Sequence, residues 1–184
     1  MAFVDLPKNK LVLKVALVGP PAVGKTARLD QLARHGGQRH DFGSRMLAAT
    51  SMAVLPLASV ASPRPVDVEV YEWHGPEKVD LRGKALWTGL DGLIYVPDAR
   101  ENRWVDSVAT FKFLLDEAGK SRIVRVPSLL VLGRMEDGLL RLKRYEAELQ
   151  GPTWTERVEA PLEPAEPFVE GVRLLGEAML ARLL

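Results

Sequence analysis

The residues with the clearest chemical potential form one short segment, Gly19-Pro20-Pro21-Ala22-Val23-Gly24-Lys25-Thr26. The segment fits the pattern G-x-x-x-x-G-K-[ST], which is typical of a loop that wraps around phosphate groups. Its glycines let main-chain N–H groups point inward, its lysine supplies a charge to the terminal phosphates, and its threonine offers a hydroxyl to Mg²⁺. The predicted phosphate-binding residues of this segment are Gly19, Val23, Gly24, Lys25 and Thr26. The alternative interpretation is an idle glycine-rich turn.

Such a loop has to join a buried strand to a helix, and the flanking sequence predicts both. Leu11–Val18 is a continuous apolar run, and Thr26–Arg34 has a helical pattern that ends before Gly36-Gly37. Further predicted strands are Met52–Ser59, Val66–Glu72, Gly92–Val96 and Ser128–Leu132. Predicted helices are Trp104–Ala118, Leu139–Leu149 and Pro167–Leu184, whereas Gln38–Thr50 shows no clean period and is predicted to be a loop. This alternation predicts an α/β fold, in a single domain over residues 1–184.

Composition narrows the function further. The 25 basic and 24 acidic residues give a net charge of +1, which argues against a dedicated nucleic-acid binder. The chain has no cysteine, so it has neither a thiolate metal site nor a thiol nucleophile. Asparagine occurs only at Asn9 and Asn102, and glutamine only at Gln31, Gln38 and Gln150. This scarcity fits a thermophilic source, and a GC-rich genome is the alternative explanation.

No segment of the sequence predicts membrane attachment. Leu11–Val18 is too short to span a bilayer, and Lys14 interrupts it. The Met1-Ala2 start and the lack of cysteine argue against the common lipid anchors. We therefore expect a cytoplasmic protein without a direct membrane anchor.

From Leu11 to about Glu136 the order of these pieces resembles the Ras-like small GTPases, most of all the bacterial kind that governs cell polarity and gliding motility. Besides the phosphate-binding loop, the resemblance rests on the Leu55-Pro56-Leu57 strand, the His74-Gly75 turn, and Thr88-Gly89-Leu90-Asp91-Gly92-Leu93-Ile94. It implies a P-loop NTPase fold, with a mostly parallel six-stranded sheet and helices on both faces. It further implies GTP/GDP and Mg²⁺ as ligands, and a regulatory or effector protein, such as a roadblock-type activator, as partner.

Several positions depart from the family pattern around the metal and the γ-phosphate. Glu72 stands where the family has the aspartate of D-x-x-G that reaches Mg²⁺, and Gly75 matches the glycine whose amide contacts the γ-phosphate. Pro76 replaces the glutamine that orients the attacking water, so the implied hydrolysis is slow or absent. The residues that can substitute in catalysis are His74, Glu77 and, as an arginine finger from the same chain, Arg45. Thr50 is the best candidate for the metal-binding threonine of the first switch, with Ser51 beside it.

The guanine-binding motif of the family is also substituted in this sequence. The family motif N-K-x-D falls on Gly133-Arg134-Met135-Glu136. Arg134 can stack on the base. Glu136 can accept hydrogen bonds from the N–H groups of guanine, and the adjacent Asp137 is the alternative acceptor. Gly133 cannot brace the phosphate-binding loop as asparagine would. The resemblance places the last base contact at the main-chain N–H of Ala160.

Three functions stay open at this point. The first is a GTP-dependent switch with slow or absent hydrolysis. The second is a pseudo-GTPase that serves as an interaction module, which Glu72, Pro76 and Gly133 favour. The third is a P-loop kinase of small molecules, whose only candidate lid is the basic segment Arg141–Arg144.

Overall fold

A computed structural model describes residues 3–5, 7, 9–42, 49–73, 85–98, 100–133, 148–149 and 154–183. These residues form an α/β structure around one mixed sheet of eight strands. The strands are β1 (Phe3–Asp5), β2 (Lys10–Val18), β3 (Gln38–Asp41), β4 (Ala49–Leu57), β5 (Val66–Trp73), β6 (Gly92–Tyr95), β7 (Ser128–Leu132) and β8 (Trp154–Glu159). The α-helices are α1 (Lys25–Arg34), α2 (Trp104–Ala118), α3 (Lys120–Ile123) and α4 (Glu166–Ala181).

The strands lie in the order β3-β4-β5-β2-β6-β7-β8, and β1 pairs with the start of β2. Neighbours from β5 to β8 are parallel, whereas β1 with β2, β3 with β4, and β4 with β5 are antiparallel. The α/β class is therefore confirmed. The expected count of six strands is wrong, because β1 and β3 extend the sheet.

Both faces of the sheet are covered by helices. Alternate residues of β2 enter two separate apolar clusters, so that Leu13, Val15 and Leu17 face α1 and α4 while Ala16 and Val18 face α2. This split explains why β2 is apolar almost throughout, since a strand buried on both faces has no polar side.

The segment Gln38–Thr50, predicted to be a loop, contains two strands instead. Gln38–Asp41 forms the edge strand β3, which pairs with Val54–Ser51, and Ala49 and Thr50 begin β4. Its side chains are mostly exposed and polar, so the strand is specified by backbone pairing and has no apolar period to reveal it. The predicted helix Trp104–Ala118 is confirmed at both ends. The predicted helix Leu139–Leu149 falls almost wholly outside the described residues.

The topology concentrates loops at one edge of the sheet. After β5 the chain crosses to the other side of β2 and continues as β6, so the order of strands reverses at β2. In parallel α/β sheets ligands bind beyond the carboxyl ends of the strands at such a switch point. The loop from Gly19 to Gly24 follows β2 at this position.

Over the part of the chain that the structure describes, no helix has the length and apolar character needed to cross a membrane.

Candidate functional site

The loop between β2 and α1 has a backbone that its glycines make possible. Gly24 precedes α1 with φ of 82°, in the left-handed region that disfavours a side chain. A Cβ at Gly19 would collide with the carbonyl oxygen of Val96, because the loop passes directly against the end of β6. No side chain caps the first turn of α1, so its N–H groups remain available to an anion.

Lys25 lies folded against this loop. Its Nζ donates hydrogen bonds to the carbonyl oxygens of Gly19, at 2.9 Å, and Pro20, at 2.7 Å. Burial lowers the pKa of the Lys25 amine, and the negative charge of Glu72 partly opposes that shift. A buried amine with two neutral acceptors gains most from an anion, since phosphate oxygens form stronger, charge-assisted hydrogen bonds.

Three oxygen-bearing side chains meet beside the start of α1. The Thr26 hydroxyl donates to Oε1 of Glu72 at 2.8 Å, and the Ser51 hydroxyl donates to Oε2 of the same carboxylate at 2.9 Å. Glu72 and Ser51 are buried, whereas Thr26 is exposed. The structure thus brings together two predicted metal ligands, Thr26 and Glu72.

This oxygen set fits Mg²⁺ bound together with phosphates. No group of three or more histidine, cysteine, aspartate or glutamate side chains occurs among the described residues, so an all-protein metal cage is not found there. Mg²⁺ is commonly held by one or two protein oxygens, with waters and phosphate oxygens completing its octahedron. One carboxylate and two hydroxyls beside a phosphate-binding loop meet that requirement.

The hydroxyl that contacts Glu72 belongs to Ser51, the neighbour of the predicted metal-binding Thr50. The pairing of β4 with β5 shifts its register between Ala49 and Met52, and Thr50 and Ser51 lie within the shift. Ser51 is the residue whose hydroxyl contacts Glu72, and Thr50 lies in β4 with its side chain outside the described part of the structure. Ser51 therefore joins the candidate metal site.

A cavity of about 590 Å³ opens next to the phosphate-binding loop. It is lined by the loop itself, including Val23 and Gly24, by the segment after β6, by Gly133 after β7, and by Pro161–Glu163 after β8. A hydrogen bond from Arg100 holds the pKa of the buried Asp98 carboxyl on its wall below the usual range. The volume is within the range of small-ligand pockets.

The predicted base contact at Ala160 is already engaged. The Ala160 N–H donates to the Leu132 carbonyl oxygen at 2.8 Å and extends the pairing of β7 with β8. A bond from this N–H to a guanine carbonyl would have to replace that contact. Leu162, two residues further on, lines the cavity, and its side chain lies against Gly24.

Arg28 is a site residue that the sequence interpretation missed. It lies on α1, is only 1% exposed, and lines the cavity. Its Nη2 donates to the Ala160 carbonyl oxygen at 2.7 Å, and its guanidinium stacks 5.1 Å from the Phe168 ring centre. A signal was present, because Arg28 and the buried Leu32 are four residues apart and must share a helix face.

Several predicted site residues lie outside the described residues. They are Arg45, His74, Gly75, Glu77, Arg134 and Glu136. Their predicted roles, in catalysis, γ-phosphate binding and base reading, stay predictions.

Comparisons with known proteins do not assign the chain to a family. No protein-family model matches the chain, and no curated protein matches it significantly. The chemistry of the loop from Gly19 to Thr26 and of its neighbours therefore carries the functional conclusion.

Proposed function

We propose that the protein binds a guanine nucleotide with Mg²⁺ and acts as a nucleotide-dependent switch with slow or absent GTP hydrolysis. In this proposal the fold is that of a P-loop NTPase of the small-GTPase kind. One observation carries it: Lys25 and the Thr26–Glu72 pair lie together at the start of α1, beyond the carboxyl end of β2. That position is the switch point of the sheet, where α/β proteins bind their ligands.

The contacts around α1 suggest where each part of the nucleotide would bind. Phosphates would enter at the N-terminus of α1, where Lys25 exchanges the carbonyl oxygens of Gly19 and Pro20 for phosphate oxygens. Mg²⁺ would then bind between the terminal phosphates and the oxygens of Thr26, Glu72 and Ser51. The base would lie in the adjacent cavity, which begins at Val23 and Gly24 and extends away from the metal residues.

A switch needs an element that senses the bound phosphates. Ser51 and Glu72 lie on β4 and β5, near the ends where these strands lead into the segments that the family resemblance identifies as switches. Loss of the Ser51–Glu72 hydrogen bond, which would follow if Glu72 held the metal, would change the junction of the two strands. The resemblance supports a roadblock-type activator as the protein that reads this change, and a cytoplasmic location.

The sequence supports slow turnover. Pro76 occupies the position of the water-orienting glutamine, and its side chain has no group that can hold a water molecule. Nucleotide binding without hydrolysis, as in a pseudo-GTPase, is the neighbouring alternative. The two share the same binding site and differ only in turnover.

Isothermal titration with GTPγS, GDP and ATPγS, each with Mg²⁺, tests the proposal. We expect binding of both guanine nucleotides, and its loss in Lys25→Ala, because the variant removes the charge that faces the phosphates. Lys112→Ala, on the exposed side of α2, is the matched control and should bind as the wild type does. Absence of guanine-nucleotide binding in the wild type contradicts the proposal, and a preference for ATPγS favours the kinase. Measurable single-turnover hydrolysis of bound GTP then identifies a slow GTPase and contradicts the pseudo-GTPase.

A further inference from the structure

The base-reading motif of the related GTPases is substituted in this chain, yet the cavity beside the phosphate-binding loop contains a strong hydrogen-bond donor. Gly133, at the end of β7, has no side chain with which to contact a base. Arg28 lines the same cavity from α1. The guanidinium is held in place on two sides, by the Ala160 carbonyl oxygen and by the Phe168 ring.

Arg28 has unused hydrogen-bonding capacity. Its Nε and Nη1 are buried and have no hydrogen-bond partner among the described residues. Burial lowers the pKa of this guanidinium to about 10, so it is still a cation at neutral pH. Buried donors are almost always paired in folded proteins, so two unpaired donors in a residue that lines the cavity indicate an acceptor that the free protein lacks.

We propose that Arg28 reads the nucleobase in this cavity and selects a base that carries a carbonyl oxygen, as guanine does at its 6-position. The inference rests on the proposed nucleotide binding. An arginine side chain donates hydrogen bonds and cannot accept them. The 6-oxo group of guanine is an acceptor, whereas adenine presents an amino group at the same place, so adenine would leave the buried cation unpaired.

Arg28 is not the only residue of α1 that hydrogen-bonds to the loop after β8. Gln31, one turn further along α1, donates through its Nε2 to the carbonyl oxygen of Leu162 in the same loop. An Arg28→Met variant therefore keeps one bond between α1 and the loop. It also removes a buried, partly unpaired charge, a change that is often neutral or stabilising. We expect the variant to fold, with a melting temperature close to that of the wild type.

The test compares the affinities of GDP, IDP and ADP, each with Mg²⁺, by isothermal titration. Inosine keeps the 6-oxo group of guanine and lacks its 2-amino group, so the wild type should bind both GDP and IDP more tightly than ADP. In Arg28→Met the affinities for GDP and IDP should fall roughly tenfold to a hundredfold while that for ADP changes little, because only the 6-oxo bases lose a charged donor. Arg28→Lys, which keeps a charged donor, should lie between the two. Arg173→Met, on the exposed face of α4, is the control and should leave all three affinities unchanged.

The outcomes separate this inference from the proposed function. A GDP-to-ADP ratio in Arg28→Met that stays within about twofold of the wild type overturns the role of Arg28 and leaves nucleotide binding intact. A wild type that binds ADP as tightly as GDP and IDP also overturns it, without any variant. A wild type that binds no guanine nucleotide overturns both. If Arg28→Met does not fold, the wild-type comparison and Arg28→Lys decide the question.

Discussion

The hydroxyl of Thr26 donates a 2.8 Å hydrogen bond to Oε1 of Glu72, which joins the first turn of α1 to the end of β5. The two residues are 46 positions apart in the chain. The same carboxylate also accepts from Ser51, so β4, β5 and α1 meet at one buried negative charge. If Glu72 holds a divalent cation, its two hydrogen bonds would have to break or be shared, and this would couple metal binding to the junction of three elements.

Replacing Glu72 with glutamine tests the charge without removing the side chain. Glu72→Gln can still hydrogen-bond to Thr26 and Ser51, but it loses the negative charge that attracts Mg²⁺. We expect the gain in GDP affinity on adding Mg²⁺ to fall by roughly tenfold or more, whereas binding in EDTA stays the same or improves. Isothermal titration at several Mg²⁺ concentrations measures both.

The chain offers a matched control for that variant. Glu177 accepts a 2.8 Å hydrogen bond from the Ser59 hydroxyl, far from the phosphate-binding loop, so Glu177→Gln makes the same chemical change elsewhere. It should leave the Mg²⁺ dependence unaltered. A Glu72→Gln protein with the wild-type Mg²⁺ dependence would remove Glu72 from the metal site.

Ser51 and Thr50 can be separated by single alanine variants. Ser51→Ala removes a hydroxyl that bonds a buried carboxylate, so we expect the free energy of unfolding to drop by about 1–3 kcal/mol and the Mg²⁺-dependent GDP affinity to fall severalfold. Urea denaturation and titration measure the two effects. Ser59→Ala provides the control for loss of a serine–glutamate hydrogen bond. A larger loss of Mg²⁺ dependence in Thr50→Ala than in Ser51→Ala would restore Thr50 as the switch ligand.

The sequence predicts the parts of this molecule in which local pattern and structure agree. The helix Trp104–Ala118 follows from apolar periodicity, and the strand before Gly19 follows from a continuous apolar run. The segment from Gly19 to Thr26 follows from a motif whose glycines have a steric reason. The sequence does not predict which of Thr50 and Ser51 faces Glu72, because neighbouring residues of a strand point to opposite faces. The register shift near these two residues arises from the pairing of β4 with β5. The edge strand β3 is not predicted because its side chains are mostly exposed and polar, so that only its backbone pairing with Ser51–Val54 of β4 specifies it. Arg28 could not be placed at the cavity from the sequence, because its contact is with Ala160, which lies 132 positions further along the chain.

Nucleotide binding should be linked to the protonation of Lys25. Burial lowers the pKa of its amine in the free protein below the ordinary lysine value of 10.5. Bound phosphates stabilise the charged form, so the pKa must rise in the complex. It follows that GDP affinity falls as pH increases through the free-protein pKa, and that binding takes up a proton in that alkaline range.

An NMR titration measures this pKa directly. The Cε shift of Lys25 should titrate below 10.5 in the free protein and at higher pH after addition of Mg²⁺ and GDP. The chain unfolded in urea supplies the reference lysine. A pKa in the folded, ligand-free protein that equals or exceeds this reference would contradict the buried position of the amine.

Gly133 occupies the position at which the family resemblance expects the asparagine of the base-reading motif. A Cβ built at Gly133 meets no atom of the described residues within 4 Å, and the residue lines the cavity directly after β7. In the GTPases that the chain resembles, asparagine stands at this position and braces the phosphate-binding loop. We therefore expect Gly133→Asn to fold normally and to bind GDP roughly threefold to tenfold more tightly, as one added hydrogen bond predicts. Gly133→Ala makes the same backbone change without the amide, so its GDP affinity should stay at the wild-type value. Equal affinities of the two variants in isothermal titration would show that position 133 does not brace the bound nucleotide.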